Sequence, residues 1–402
     1  MSAPEAPQGQ FTLLYFASAT SYTRKQHDFL PAPLPIFELH DRLEMLYPGI
    51  VEKVLRSCAV TVNLDYVDLE EEASKGEKGL VIQPGDEVAI IPPPLDSYIE
   101  RTSAGTIWRR VAMTAPTTIV YKTVGDVEIP FDLYLPKDAK NVPVLLWFHG
   151  GGLLQSKRTN VSPHMVKAVD KYKIAVISAD YRLAPQVGVA DIFEDVQDCI
   201  TFIRHPDGLL KYIDSTAIDA QRMAVCGSSA GGYLAFLAGL YVEPKPKVIL
   251  PIYPITDPLG TFFTTSQPHP LGGGRTDHAT VESFLDPNGE VVTSNEKNSD
   301  REQMYFYMMQ EANLAELLRI KPGDDTYRIA KQIYRRRLPP AYCIHGDADR
   351  AVGVEQCDEV VGIMYGLNMD VKYERLHGLD HLFDRDAAFE LERMYEYMMK
   401  HV

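Results

Sequence analysis

Apolar and polar positions follow two different rhythms along this chain, and the change falls near residue 100. In the first stretch, Phe11 to Phe16 is a short apolar run that predicts a strand. Phe37, Leu39, Leu43 and Leu46 recur at near-helical spacing and predict a helix over Ile36 to Tyr47. A short helical piece, Ile50 to Arg56, leads to a strand from Ala59 to Asn63, and the charged stretch Glu70 to Lys78 reads as a loop. A last strand, Glu87 to Ile91, ends against Pro92-Pro93-Pro94, because proline has no N–H to give to a ladder. Strands and helices mixed within so short a segment predict a small α+β domain over residues 10–94.

Residues 95–115 are polar and without sustained periodicity, and read as a linker. Beyond them, short apolar runs recur at Pro143 to Phe148, Ile174 to Ser178, Met223 to Cys226, Val248 to Pro251, Ala341 to His345 and Val371 to Arg375. Runs of this kind suit strands buried on both faces of a parallel sheet. A helical pattern from Ala190 to Arg204 separates the second run from the third, and a terminal helix is expected over Asp386 to Met399. This rhythm predicts a doubly wound α/β sheet over residues 116–402. It stops over about 257–338, where Gly272-Gly273-Gly274, several prolines and a helical piece from Gln303 to Leu318 read as a lid over the sheet's C-terminal edge.

A length of 402 residues suits two domains. The formal charge of −15 repels phosphate backbones and anionic lipid, which argues against nucleic acid and membrane surfaces as partners. The five cysteines (Cys58, Cys199, Cys226, Cys343 and Cys357) are odd in number and form no CxxC pair. Buried free thiols in a reducing compartment are therefore expected, not a disulfide framework or a zinc site. Met1 to Gln10 has neither the basic residues nor the apolar run of a secretory signal, and no apolar stretch reaches the roughly 18 residues of a membrane span. The expected location is the cytoplasm, and no metal or organic cofactor is indicated.

Candidate chemistry gathers at the predicted strand ends. Gly227-Ser228-Ser229-Ala230-Gly231 is a G-x-S-x-G pattern between the strand Met223 to Cys226 and a helical stretch, Tyr233 to Tyr241. A strand turning sharply into a helix holds the central serine out at the tip, over a helix N-terminus that favours developing negative charge. Ser229 is the candidate nucleophile. His149-Gly150-Gly151-Gly152 directly follows another strand. Its N–H groups at Gly151 and Gly152, with that of Ala230, are candidate donors to an oxyanion. The loop lacks the Lys-Ser/Thr ending of a phosphate-binding P-loop. His149 reads as structural. Downstream, His345-Gly346-Asp347-Ala348-Asp349 offers two competing acids, with Asp349 favoured over Asp347 as the last residue of a strand-end H-G-x-x-D loop. Leu376-His377-Gly378-Leu379-Asp380-His381 offers two competing bases, with His381 favoured over His377, which lies nearer the strand end. The order serine, acid, histidine is that of this type of fold.

These motifs, with Asp180-Tyr181-Arg182-Leu183-Ala184-Pro185 and Tyr253-Pro254, make residues 115–402 resemble the hormone-sensitive-lipase-like family of α/β-hydrolases. The resemblance implies an α/β-hydrolase fold with a lid insertion, and cleavage of carboxylic esters of short to medium acyl chains. It implies Ser229 as nucleophile, Asp349 as acid and His381 as base, with the glycine loop as oxyanion hole. The partner is then a small-molecule ester. Three features depart from the family pattern: Ser228 stands where an aspartate is usual, Gln186 where a glutamate is common, and the lid is large.

Residues 11–94 resemble the small, sulfur-carrying subunit of molybdopterin synthase, a ubiquitin-like β-grasp protein. The matching stretches are Leu13-Leu14-Tyr15-Phe16-Ala17, Tyr47-Pro48-Gly49, Arg56-Ser57-Cys58-Ala59-Val60-Thr61-Val62-Asn63 and Pro84-Gly85-Asp86-Glu87-Val88-Ala89-Ile90-Ile91-Pro92-Pro93. The resemblance implies a role in molybdenum cofactor biosynthesis, with the large synthase subunit as partner, through a C-terminal Gly-Gly that carries a thiocarboxylate. Here Pro94-Leu95-Asp96-Ser97-Tyr98 follows instead, with no diglycine. Two readings of the junction stay open: a true fusion, and two neighbouring genes joined with loss of the segment that encodes the diglycine.

Overall fold

The computed structural model describes residues 6–402 except 17, 24, 56–57, 64, 68, 70–71, 73–74, 76–78, 92–99, 103–104, 108–114 and 271–273. The chain divides into two compact units, Met1–Met113 and Thr114–Val402.

The first unit contains strands β1 (Gln10–Tyr15), β2 (His27–Pro31), β3 (Leu34–Pro35), β4 (Ala59–Val62), β5 (Asp65–Val67), β6 (Val81–Ile82) and β7 (Glu87–Ile91). Five of them form a mixed sheet in the order β2-β1-β7-β4-β5, with β1 and β7 parallel at its centre. Phe11, Leu13, Val60, Val88 and Ile90 bury one face of this sheet against Ile36, Leu39 and Leu43. This is the β-grasp arrangement. The expected helix over Ile36 to Tyr47 is a 3-10 turn, Ile36–Glu38, followed by an α-helix, Leu39–Leu46. The change of pitch turns Phe37 and Leu46 outward, so Ile36, Leu39 and Leu43 supply the core stripe. The expected loop over Glu70 to Lys78 lies mostly outside the described residues, as do Pro92-Pro93-Pro94. The expected linker over 95–115 holds two short antiparallel strands, β8 (Glu100–Thr102) and β9 (Gly105–Ile107). Strands this short carry no periodicity for a sequence reading to detect.

The second unit is built on strands β10 (Thr117–Val124), β11 (Val127–Tyr134), β12 (Val142–Phe148), β13 (Ala175–Ala179), β14 (Ile218–Ser228), β15 (Val248–Ile252), β16 (Ala341–Gly346) and β17 (Val371–Leu376). They pair in the order β10-β11-β13-β12-β14-β15-β16-β17. The hairpin β10–β11 is antiparallel and joins β13 antiparallel; every later pairing is parallel. Every residue of β12, β13 and β15 is buried, which accounts for their unbroken apolar runs. One core lies on each face of the sheet. The fold is that of an α/β-hydrolase.

Helix Ala230–Tyr241 is apolar all round and lies inside the larger core, so its N-terminus is fixed where β14 ends. The insertion over 257–338 packs Phe263, Val281, Tyr305, Met308 and Leu314 into the same core. Its expected helical piece from Gln303 to Leu318 is two helices, Met304–Glu311 and Leu314–Leu317, parted by Ala312 at a φ of 56°. The terminal helix begins at Glu392, not at Asp386, behind Leu391 in a left-handed conformation. All five cysteines are free and buried. Among the described residues no helix is long and apolar enough to cross a membrane.

Candidate active site

Parallel strands deliver the candidate residues to one edge of the sheet. Phe148 at the end of β12 pairs with Gly227 near the end of β14, so the loop 149–152 and Ser229 emerge side by side. Ser228 pairs with Ile252 on β15, and Gly346 on β16 pairs with Leu376 on β17. The loops holding Tyr253, Asp349 and His381 therefore leave the same edge.

Ser229 has φ 58° and ψ −119°, a conformation that costs a non-glycine residue of order 1–3 kcal/mol and persists only where surroundings enforce it. Here they do. Its N–H donates to Ile252 O at 2.9 Å, and its carbonyl accepts from Tyr233 N and Ile255 N at 3.2 Å each. A Cβ at Gly231 would sit 1.9 Å from Phe148 O, so only glycine lets the helix start this close to β12. Tyr233 N to Ser229 O is the first bond of the helix, which leaves the N–H of Ala230 ahead of the ladder and available. Gly151 and Gly152 have φ of 97° and 69°. Among the described residues, neither of their N–H groups has a protein acceptor. A Cβ built on Gly150 would lie 3.1 Å from Ser229 Cβ, so this loop runs directly against the serine.

The two aspartates and two histidines sort into two pairs. His381 Nδ1 bonds Asp349 Oδ2 at 2.6 Å, and the Asp349 side chain is fully buried. Asp349 Oδ1 accepts from Ala351 N at 2.9 Å and Val352 N at 2.8 Å. Burial works to raise the Asp349 carboxyl, but the facing His381 and His345 outweigh it and hold it well below the usual carboxylate range. Asp347 instead bonds His377 Nδ1 at 3.1 Å and Gly378 N at 2.7 Å, with the His377 side chain 98% exposed. The loops are stitched together by Asp380, which accepts from Arg350 Nε at 2.7 Å and from the N–H of Arg350 at 3.0 Å. The N–H of Ser229 bonds Ile252 O, and the ring of the next residue, Tyr253, lies 4.3 Å from that of His381.

His149 is buried, stacked on Tyr181 at 4.3 Å, and its Nδ1 lies 2.8 Å from Gly150 O. Burial lowers it to about 4, so it stays neutral and serves the loop.

Asp384 escapes a sequence reading altogether. Its buried carboxylate accepts from Ser162 Oγ at 2.7 Å, Ser228 Oγ at 3.4 Å and the Tyr253 hydroxyl, while Trp147 Nε1 donates to Ser228 Oγ at 3.2 Å. Burial would raise it, but the bond to His164 and the nearby Arg385 charge hold it low. It ties the serine elbow to the segment that follows His381. The departure at Ser228 thus places a hydroxyl donor against a carboxylate that arrives from elsewhere in the chain. The departure at Gln186 has a similar reason. Its Nε2 donates to Phe284 O and Asp286 O at 2.8 and 2.9 Å, which a glutamate could not do, while its Oε1 accepts from Arg301 Nη2 at 2.9 Å. Arg301 also donates to Leu154 O at 2.9 Å, joining the insertion to the glycine loop. Among the described residues no group of three or more His, Cys, Asp or Glu is placed to hold a metal ion.

Comparison with known proteins agrees with both halves of this architecture. Residues 131–363, more than half of the chain, match the BD-FAE family model. The second unit is similar in fold to an α/β-hydrolase superfamily protein from Enterococcus faecalis, at 17% identity and a TM-score of 0.53 over 71% of this chain and 97% of that one. It is similar also to an esterase from Pyrobaculum calidifontis, at 20% identity and a TM-score of 0.50 over 72% of this chain and 84% of that one. The first unit is 54% identical over 94 residues to the molybdopterin synthase sulfur carrier subunit of Phaeosphaeria nodorum, which spans 23% of this chain and 96% of that protein. The chain belongs to the BD-FAE family, and its first unit to the molybdopterin synthase sulfur carrier subunits.

Proposed function

We propose that the second unit is a serine hydrolase that cleaves carboxylic esters of short to medium acyl chains, with Ser229 as nucleophile, His381 as base and Asp349 as acid. The observation that carries this reading is the 2.6 Å bond from His381 to the fully buried Asp349, at the same sheet edge as a serine held at φ 58°. Asp349 accepts a hydrogen bond from Nδ1–H of His381 and so leaves Nε2 as the basic nitrogen. Nε2 takes the Ser229 Oγ proton as Oγ bonds the ester carbonyl carbon. The carbonyl π electrons move onto oxygen, where the N–H groups of Gly151, Gly152 and Ala230 receive the charge. As the carbonyl re-forms, the ester C–O bond breaks and His381 gives its proton to the departing alcohol. Water then attacks the acyl-serine, again losing its proton to His381. The carboxylic acid leaves and Ser229 regains its proton. The insertion over 257–338 acts as the lid, through Arg301 on the glycine loop and Tyr305, whose hydroxyl donates to Ala351 O at 2.7 Å.

Hydrolysis of p-nitrophenyl acetate and butyrate by the full chain tests this reading. Wild type turns both over, and Ser229→Ala does not. A Ser229→Ala protein as active as wild type ends it.

The 54% identity of the first unit to a sulfur carrier favours a second reading, that this unit binds the large subunit of molybdopterin synthase. Sulfur transfer by a terminal thiocarboxylate is incompatible with a chain that continues through Leu95-Asp96-Ser97 without a diglycine, unless it is cut or rebuilt. Titration of the full chain with the large subunit tests binding directly; no heat of binding removes this reading.

A further inference from the structure

Tyr253, the first residue after β15, stands at a φ of 36°, where a bulky side chain is strained. The strain is held from several sides. Its N–H donates to Ile344 O at 2.6 Å. Its fully buried ring lies 5.3 Å from that of Phe383 and 4.3 Å from the imidazole of His381. Its hydroxyl donates to Asp384 Oδ1. The other carboxylate oxygen, Oδ2, accepts from Ser162 Oγ at 2.7 Å and from Ser228 Oγ at 3.4 Å. The two oxygens thus have different partners. Oδ2 is anchored to the start of helix Pro163–Tyr172 and to the residue before the nucleophile, and Oδ1 holds the phenol that packs on the base.

We propose that Tyr253, with Asp384 holding its hydroxyl, is a positioning residue that fixes the plane of the His381 imidazole for proton transfer. The inference rests on the esterase reading of the same site. The bond from His381 Nδ1 to Asp349 anchors the imidazole at one nitrogen, and one bond does not by itself fix the plane of a ring. Nε2 lies on the far side of that ring, so a small swing about the anchored nitrogen displaces it from Ser229 Oγ. The Tyr253 ring, with its plane 53° from that of the imidazole, closes one side of the swing. A φ of 36° puts the ring there, and such a conformation persists only where the surroundings enforce it, here through Ile344 O and Asp384. Misplacing a reacting group by about 1 Å can cost about 10²-fold in rate, so an orienting contact of this kind acts on kcat.

Tyr253→Phe keeps the ring and removes only the hydroxyl. Its kcat on p-nitrophenyl butyrate, per serine labelled to completion by a fluorophosphonate, is expected to fall about tenfold with KM within about threefold of wild type. Asp384→Asn is expected to lower kcat in the same way, and the double variant to lose no more than Asp384→Asn alone, because the two residues act as one device. Ser162→Ala strips a bond from the other oxygen of Asp384. It is expected to lower the urea midpoint and to keep kcat per labelled serine within about twofold. A role confined to stability would reduce the labelled fraction and leave kcat per labelled serine unchanged in Tyr253→Phe, and that result overturns the proposal. Should Asp384→Asn fail to fold, Tyr253→Phe alone decides. A second measurement needs no activity. In the full chain labelled with ¹³C at histidine Cε1, the His381 signal is assigned by its loss in His381→Gln. It is expected to move between wild type and Tyr253→Phe at matched pH, and an unchanged signal overturns the proposal. Absence of esterase activity in the wild type would end the functional reading, while the NMR result would still decide whether the Tyr253 hydroxyl holds His381 in place.

Discussion

Asp349 and Asp347 stand two residues apart on one loop, and each bonds a histidine from the next loop, at 2.6 and 3.1 Å. What separates them is the surroundings. Asp349 is fully buried, takes two main-chain N–H bonds on one oxygen and faces two histidines on the other, so its partner's orientation is fixed. Asp347 pairs with a histidine whose side chain is 98% exposed, where water competes for every bond and the pair is worth little. Identical chemistry becomes a candidate catalytic device only when the acid is buried and the pair shares a sheet edge with a strained serine.

That contrast can be broken most severely at Asp349. Asp349→Asn leaves His381 without its acceptor and is expected to lower kcat on p-nitrophenyl butyrate by roughly 10⁴-fold in steady-state assays. Next comes the glycine loop proposed to receive the oxyanion. Gly151→Ala forces a Cβ to 2.2 Å from Gln155 O at a φ of 97°, and is expected to cost about 10²-fold in kcat even with the Asp349–His381 bond intact.

A smaller effect lies in stability. The folded-state value of Asp349 is depressed, so its contribution is present above the unfolded value of about 3.9 and is lost as pH falls through the folded one. Urea midpoints of wild type and Asp349→Asn are therefore expected to differ near neutrality and to converge in strong acid. His345 has the opposite sign. Its folded value is raised to about 9, so its contribution is complete below about 6.5 and fades as pH climbs through about 9, and midpoints of wild type and His345→Gln are expected to converge there. The smallest effect belongs to the exposed pair. His377→Ala is expected to stay within about twofold of wild type in kcat/KM and within about 0.5 kcal/mol in urea stability. A large loss of activity at His377 would invert the comparison.

Much of this was legible in the chain. The apolar runs at β12 and β16 locate those strands to within a residue because central parallel strands are buried on both faces, whereas β14 begins five residues before its run, at Ile218, through partly exposed positions. G-x-S-x-G and H-G-G-G follow such runs directly, and so announce their place in the fold. The edge hairpin β10–β11 passed unrecognised because half-exposed strands leave a weaker pattern. Residues such as Asp384 and His345 gain their roles from partners far off in sequence, Ser162 and Ser228 for the first, Asp349 with its main-chain donors for the second. For His345 the H-G-x-x-D spacing was a signal, since four residues across a strand-end turn can bring the two side chains together. No comparable spacing marks Asp384.

The junction between the units has its own observable. Trypsin acting after Lys78 and Arg101 releases the peptide Gly79 to Arg101, which spans the end of the sulfur-carrier match. Mass spectrometry of the native source is expected to find that peptide if the fused chain exists. A shorter peptide beginning at Gly79 and ending in Gly-Gly would mean two separate proteins.

The central claim is that Ser229 is the nucleophile, and the most direct measurement is the site of covalent capture by a fluorophosphonate. The account predicts one adduct per chain, on the tryptic peptide containing Ser229, formed in step with loss of esterase activity and absent from Ser229→Ala. An adduct on a different serine, or full inactivation without modification of Ser229, would contradict it.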